Sequence, residues 1–98
     1  MKRYALTHTT TLMDALNTDN INLYDLEWIQ LRSCQAWYIK GWYVDNSTCE
    51  VKEGYFLQSY NTLVAFIDVK ERKVYEPVKY SPTTSRQVTW FKRDVGIR

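Results

Sequence analysis

The sequence predicts an α+β domain with an antiparallel sheet of four or five strands and one or two short helices, the C-terminal helix packed on the sheet. Three observations lead to this fold class. Residues 63–67 are a continuous apolar run, too short for a typical helix. A second strand-like run, residues 74–80, follows a short charged link. A helix-start signal at residues 81–87 and Gly96 as a stop then delimit a C-terminal helix.

The two runs predict an antiparallel hairpin. The first is rich in β-branched and aromatic residues, which indicates a strand buried on both faces. The link, residues 68–73, contains neither Gly nor Asn, so a loop longer than two residues is favoured. Pro77 cannot donate to a ladder, so the second strand is expected at an edge of the sheet or at a bulge.

The C-terminal helix has a predicted inner side and a predicted outer side. Thr84 and Gln87 have the spacing of a capping box, in which Gln87 reaches back to the start of the helix. On a helical wheel the residues predicted to face the sheet are Thr84, Val88, Phe91 and Val95. The residues predicted to face away from it are Arg86, Thr89, Trp90 and Arg93.

The N-terminal half supplies the remaining elements. A short strand is expected near residues 4–6 and a helix of one or two turns at 12–16; residues 23–32 fit either a strand or a short helix. Residues 35–44 form a clear strand, in which Gly41 suggests a bulge. Further strands are expected at residues 48–52, as a hairpin partner, and at 55–59.

Composition indicates a single domain, residues 1–98, with no second-domain boundary. Apolar residues make up 45% and aromatic residues 15% of the chain, which suffices for a packed core. The net charge of +2 argues against an acidic mimic of DNA and is too small to establish nucleic-acid binding.

The cysteine and histidine inventory argues against a metal site. Cys34 and Cys49 form no CxxC pair and His8 is the single histidine, so no structural zinc site and no cofactor is expected. No signal peptide and no apolar span of membrane length is evident. We therefore expect no membrane association, a cytoplasmic protein and no required disulfide.

No set of residues with catalytic spacing is evident. His8 has no identifiable partners for general-base chemistry. The hydroxyl groups of residues 81–85 are explained more simply as helix caps than as a nucleophile, although an anion could bind at that helix start. The sequence therefore predicts a protein that binds and is not an enzyme.

The C-terminal part of the chain resembles a pattern found in small uncharacterised phage and prophage proteins. The residues that carry it run from Ser59 through Thr62 to Ala65, with Ile67-Asp68 and Val74-Tyr75, and then from Tyr80-Ser81 through Thr83-Thr84-Ser85-Arg86-Gln87 to Phe91. In those proteins an SYxTxVA strand precedes a YSxTTSKH-type helix start. Here Arg86-Gln87 replaces Lys-His, so the one histidine of the pattern that could serve in catalysis is absent.

The resemblance implies a phage-encoded protein of the host cytoplasm, and such proteins include anti-CRISPR inhibitors. The partner implied is a host defence protein or ribonucleoprotein, inhibited by stoichiometric binding. A small nucleic-acid-binding protein and a phage accessory protein remain alternatives. The predicted partner-binding residues are Arg86, Thr89, Trp90, Lys92 and Arg93, because Trp and Arg are common interface hot spots.

Two alternatives to this surface stay open. Trp90 could instead pack on the N-terminal part of the chain, leaving the arginines merely solvated. If the helix face does not bind the partner, the aromatic N-terminal hairpin, with Trp37 and Trp42, is the next candidate.

Overall fold

An antiparallel six-stranded sheet forms the framework of the protein. The computed structural model describes residues 12–25, 27–32, 35–59, 62–76 and 82–96, with the backbone alone for residues 83 and 84. In chain order the elements are α1 (12–16), β1 (Asn22–Leu23), β2 (Ile29–Gln30), β3 (Ala36–Val44), β4 (Val51–Ser59), β5 (Thr62–Asp68), β6 (Lys73–Tyr75) and α2 (Pro82–Asp94).

The strands lie in the order β1-β3-β4-β5-β6, and β2 pairs with β3 as well. β1 aligns with Gly41 and Trp42, whereas β2 aligns with Trp37 and Tyr38, so the two short strands share one edge of β3. The α+β prediction and its antiparallel sheet are confirmed. The strand number of four or five is wrong, because residues 23–32, which fitted one strand or a short helix, help to form two short strands.

The strand β4 runs unbroken through Gly54, where the sequence predicted two separate strands. Gly54 lies opposite Gly41 in the β3–β4 ladder. A Cβ atom on Gly54 would lie 1.9 Å from the Ile67 carbonyl oxygen, and one on Gly41 would lie 2.7 Å from that of Asn22. The expected bulge at Gly41 is therefore wrong: this glycine permits close approach of β1 to β3. The register shift falls instead between residues 57 and 58 of β4.

The sheet has a buried cluster on each face. Tyr38 and Leu57 face α2, and they pack with Val88 and Phe91 of that helix. Tyr43 and Phe56 point to the opposite face, where they pack with Leu12 and Leu16 of α1 and with Phe66. These alternating residues are why the central strands are apolar on both sides. The same burial raises the pKa of the Tyr43 hydroxyl strongly, with nearby Tyr75 and carboxylates adding to the effect.

Several predictions about the helices and the hairpin are confirmed. The helix at 12–16 is present, and β5 and β6 form an antiparallel hairpin across the four residues 69–72. Val88 and Phe91 are buried against the sheet, and Val95 packs at the edge of the same cluster.

Other predictions fall outside the described residues. They concern the strand at 4–6, His8, the Pro77 edge position and the Thr84 side chain. Cys34 lies outside them as well, whereas Cys49 is exposed with a free thiol. The disulfide prediction therefore stays a prediction.

Candidate functional site: two tryptophan surfaces on one side of the sheet

The outer side of α2 carries a group of cations. Arg86, Thr89 and Arg93 are exposed, as predicted, and Lys92 is half-buried. No carboxylate among the described residues forms an ion pair with Arg86, Lys92 or Arg93. These positive charges are therefore not neutralised within the described part of the protein.

Trp90 lies at the rim of this surface. Its side chain is half-buried and packs against the cluster beneath α2, so its predicted place on the outer side of the helix is only partly right, and the alternative of packing on the N-terminal part of the chain is met in part by Arg32. The wheel placed it correctly relative to Phe91, which is fully buried, but the large indole still packs partly against the same cluster. The guanidinium of Arg32 lies over the ring, 4.4 Å from its centroid. A cation at this distance is attracted by the ring's electron-rich face.

Arg32 belongs to the surface around Trp90, although the sequence did not predict it. It lies in the turn between β2 and β3, and its backbone has a φ of 54°, a left-handed value. Nothing in the local sequence links it to a tryptophan 58 positions later. We call the group formed by Arg32, Arg86, Thr89, Trp90, Lys92 and Arg93 the α2 surface.

The single acidic residue of α2, Asp94, is exposed and lies near Tyr38 of β3. It contributes a hydrogen bond and a negative charge that raise the pKa of Tyr38, although burial of this tyrosine is the larger cause. The carboxylate forms no ion pair with Arg86 or Arg93. The α2 surface is therefore cationic.

A buried hydrogen bond fixes α2 on the sheet. The Ser59 hydroxyl donates to the Gln87 side-chain oxygen at 2.6 Å, and both residues are buried. Gln87 was predicted to reach back to the helix start in a capping box. Instead it points inward to β4, where an unpaired amide would be costly. This bond holds the helix in one orientation on the sheet.

Beyond the strand residues that pack with α2, neither helix of the described residues packs on the same face of the sheet. Trp42 of β3 lies between Asn22 of β1 and Glu53 of β4 in the ladder. The next pair along, Val44 and Val51, is exposed, Val51 by 64%. The sheet face therefore presents apolar side chains to solvent here.

A polar network borders this region. The Tyr24 hydroxyl donates to the Glu53 carboxylate, which also forms an ion pair with Lys40 at 3.7 Å. The bond to Glu53 is the main reason that the pKa of Tyr24 is raised. The Lys40 ammonium additionally lies 5.9 Å from the centroid of the Tyr24 ring. Lys40 is therefore occupied by neighbours in its own part of the sheet.

An open groove of about 300 Å³ lies beside Trp42. Trp42 and Val44 form its apolar part, and Asn22 of β1 lies opposite the tryptophan. The remaining lining residues are Thr18, Asp19, Asn20 and Asn46. We call this the Trp42 groove. Trp37, the other tryptophan of β3, points to the opposite face and does not line it.

The carboxylates of the described residues do not gather into a metal site. Among them no group of three or more His, Cys, Asp or Glu side chains could hold a metal ion. The buried carboxylate of Asp68 accepts a hydrogen bond from the Glu71 amide at 3.0 Å, which closes the β5–β6 turn. In the described part of the chain, neither helix has the length and apolar character needed to cross a membrane.

Residues 26–96 match the family of unknown function DUF8033. The chain belongs to this family. No curated protein and no solved structure matches it. The DUF8033 match includes β2–β6 and α2, and with them every residue of the α2 surface; four of the residues that line the Trp42 groove precede it.

Proposed function

We propose that this protein acts by stoichiometric binding of a partner, without turnover, through its α2 surface. The observation that carries the proposal is the group of four cations around Trp90, none of them in an ion pair with a described residue. Cations left without a partner on a rigid helix favour an anionic group on another molecule.

The geometry of Trp90 suits a protein interface. Arg and Trp are over-represented at interface hot spots, because one forks into carboxylates and the other covers a large rigid area. Arg32 is held on the Trp90 ring, which lowers the entropy that it would lose on binding. The exposed Arg86 and Arg93 add charge along the same helix.

The proposed target is a bacterial immune nuclease such as a CRISPR effector, inhibited by occupancy. The phage-like pattern of the C-terminal residues supports this context, and the cationic character of the α2 surface supports its chemistry. An acidic patch on the effector, or the phosphates of its guide RNA, would complement Arg86 and Arg93.

The test is a titration of this protein into cleavage reactions of purified CRISPR effectors. Inhibition should be complete near one equivalent of protein per effector. The double variant Arg86→Glu and Arg93→Glu should inhibit only in large excess. Both exposed guanidinium groups are then replaced by carboxylates, which an acidic partner repels.

The matched control is Lys70→Glu with Arg72→Glu, which makes the same change in net charge. Both residues are exposed in the β5–β6 turn, away from α2. This variant should inhibit as the wild type does, and both variants should melt near the wild-type temperature. Full inhibition by the Arg86 and Arg93 variant would exclude the α2 surface, and cleavage unaffected by excess wild type would contradict the proposed target.

Nucleic-acid binding is the second candidate, favoured by the same uncompensated cations. Phosphates would attract them as carboxylates do. Single-strand binders usually stack several bases on several aromatic rings, whereas the α2 surface offers one ring with a face already covered by Arg32. Affinity for short RNA or DNA that falls steeply between low and physiological salt would favour this candidate instead.

A further inference from the structure

The Trp42 groove is chemically unlike the α2 surface. Trp42 is half-buried, and no described ring or cation stacks on its indole. One side of the groove is open, and the volume of about 300 Å³ lies at the lower end of the range for small-molecule sites. The groove therefore has an available aromatic wall and room for a small ligand.

The polar groups of the groove are available as well. The side chains of Asp19, Asn20, Asn22 and Asn46 form no hydrogen bond with any described residue. Each amide offers one acceptor and two donors, and the carboxylate offers acceptors. The set can therefore satisfy a ligand whose groups both donate and accept.

The charge of the groove restricts the ligand class. Asp19 is its one charged lining residue, and no Lys or Arg lines it. The nearest sheet lysine on this face, Lys40, is held by Glu53 and Tyr24. A phosphate or carboxylate ligand would meet repulsion from Asp19 and find no lining cation. An anionic ligand is therefore excluded. A simple cation would be attracted by Asp19 and the indole but would leave the amide donors of Asn20, Asn22 and Asn46 unused, so a neutral ligand with several hydroxyl groups matches the lining better.

We propose that the Trp42 groove binds a neutral saccharide. A sugar ring has one face of C–H groups, which can lie against the indole, and hydroxyl groups at its edge, which donate and accept together. Amide and carboxylate side chains around one aromatic wall complement both features. The site is independent of the proposed α2 surface, since the two have no residue in common.

The test is an NMR titration of ¹⁵N-labelled protein with glucose, galactose and N-acetylglucosamine. At least one sugar should shift the indole resonance of Trp42 in a saturable manner and leave that of Trp90 in place. The contact area of a single ring predicts a Kd in the millimolar range. Adenosine is titrated in parallel, because a nucleobase could also stack on an indole.

Variants separate binding from folding. In variants without the indole, binding is followed by the backbone amide signals of Asp19, Asn20 and Asn46, which line the same groove. By this measure Trp42→Ala should abolish saturable binding, and Trp42→Phe should retain part of it through the smaller ring. Asn20→Ala with Asn46→Ala should weaken binding about tenfold, while the melting temperature stays unchanged because both side chains are exposed and unbonded to described residues. Arg86→Glu with Arg93→Glu should bind sugar as the wild type does.

Two results would overturn the proposal. If no sugar of the panel shifts the Trp42 indole, the groove does not bind saccharides. If adenosine gives the saturable shift and the sugars do not, the groove takes a nucleobase instead.

Discussion

Trp90 and Trp42 lie on the same side of the sheet and are both half-buried, but their surroundings differ. One face of the Trp90 ring is covered by Arg32, and the side chain packs against the cluster beneath α2. Trp42 lies beyond the helix with no ring or cation of the described residues on it. Partial burial alone therefore does not show how a tryptophan can be used: the ring of Trp90 positions a cation, whereas the ring of Trp42 is open to a ligand.

The two regions also differ in charge. The α2 surface holds cations without carboxylate partners among the described residues, whereas Lys40 near Trp42 is paired with Glu53. The first region suits an extended anionic macromolecule, and the second suits a small neutral ligand. The helix is what divides one face of the sheet into these two regions.

The largest expected effect is a loss of stability when the buried cluster beneath α2 is truncated. Phe91 is fully buried in the cluster beneath α2, with its ring centroid 5.5 Å from that of Tyr38. Phe91→Ala should lower the free energy of unfolding by about 3–5 kcal/mol, measured by urea denaturation. Thr89→Ala, on the exposed side of the same helix, should change it by less than about 0.5 kcal/mol. A loss below about 1 kcal/mol for Phe91→Ala would mean that α2 is not the cover of this cluster.

The next largest effect is the loss of stability when either of two glycines in the sheet is replaced by alanine. Gly54→Ala should lower the free energy of unfolding by about 1–3 kcal/mol or more. The new Cβ would lie 1.9 Å from the Ile67 carbonyl oxygen, so β4 and β5 would have to separate. Gly41→Ala should cost less, since its closest neighbour is the Asn22 carbonyl oxygen at 2.7 Å, on the two-residue strand β1. Urea denaturation measures both variants.

Gly41→Ala should also change the structure near Trp42 without changing it near Trp90. Displacement of β1 moves Asn22, a wall of the Trp42 groove. The indole resonance of Trp42 should therefore shift, and that of Trp90 should not. Equal shifts of both would show that the two regions are mechanically connected.

The glycines also show how far the sequence could predict the structure. Local patterns predicted the β5–β6 hairpin, the helix α2 and its buried residues, because apolar runs and helical spacing are local signals. They failed at Gly41 and Gly54, where pairing to β1 and β5 decides the need for a glycine. The same limit applies to the strand number, since β1 and β2 are short strands that exist through pairing with β3.

Neither tryptophan surface could have been assembled from sequence alone. Four of the six residues of the α2 surface lie within one helix turn of Trp90, and a wheel finds them. Arg32 reaches Trp90 only through the fold. The Trp42 groove combines residues 18–22 with β3 and with the turn after it, which no spacing rule relates.

A smaller effect tests the Arg32 and Trp90 contact. A double-mutant cycle with Arg32→Ala and Trp90→Ala should give a coupling energy of about 0.5–1 kcal/mol, typical of a cation over an aromatic ring near the surface. The same cycle with Arg32→Ala and Trp42→Ala should give none, because Arg32 does not line the Trp42 groove. Equal coupling in both cycles would remove the distinction between the two tryptophans.

The smallest effect concerns the two tyrosines that border these regions. The pKa values of Tyr38 and Tyr24 are both raised, Tyr38 chiefly by burial beneath α2 and Tyr24 chiefly by its bond to Glu53. Glu53→Ala should therefore return the pKa of Tyr24 nearly to its ordinary value. Asp94→Ala should lower the pKa of Tyr38 only slightly, because burial remains. NMR titration of the tyrosine rings measures both values.

The sign for stability follows from the direction of these shifts. A tyrosine whose pKa is raised on folding stays protonated longer in the folded than in the unfolded protein, so its contribution is complete below about pH 10. The contribution is lost as the pH rises from there through the folded pKa. Tyr38→Phe should therefore reduce the alkaline loss of stability, and Tyr24→Phe should reduce it by less, because solvent screens the interaction of the exposed Tyr24 with Glu53. If Tyr24→Phe gave the larger change, the region around Trp42 would be the more tightly packed of the two.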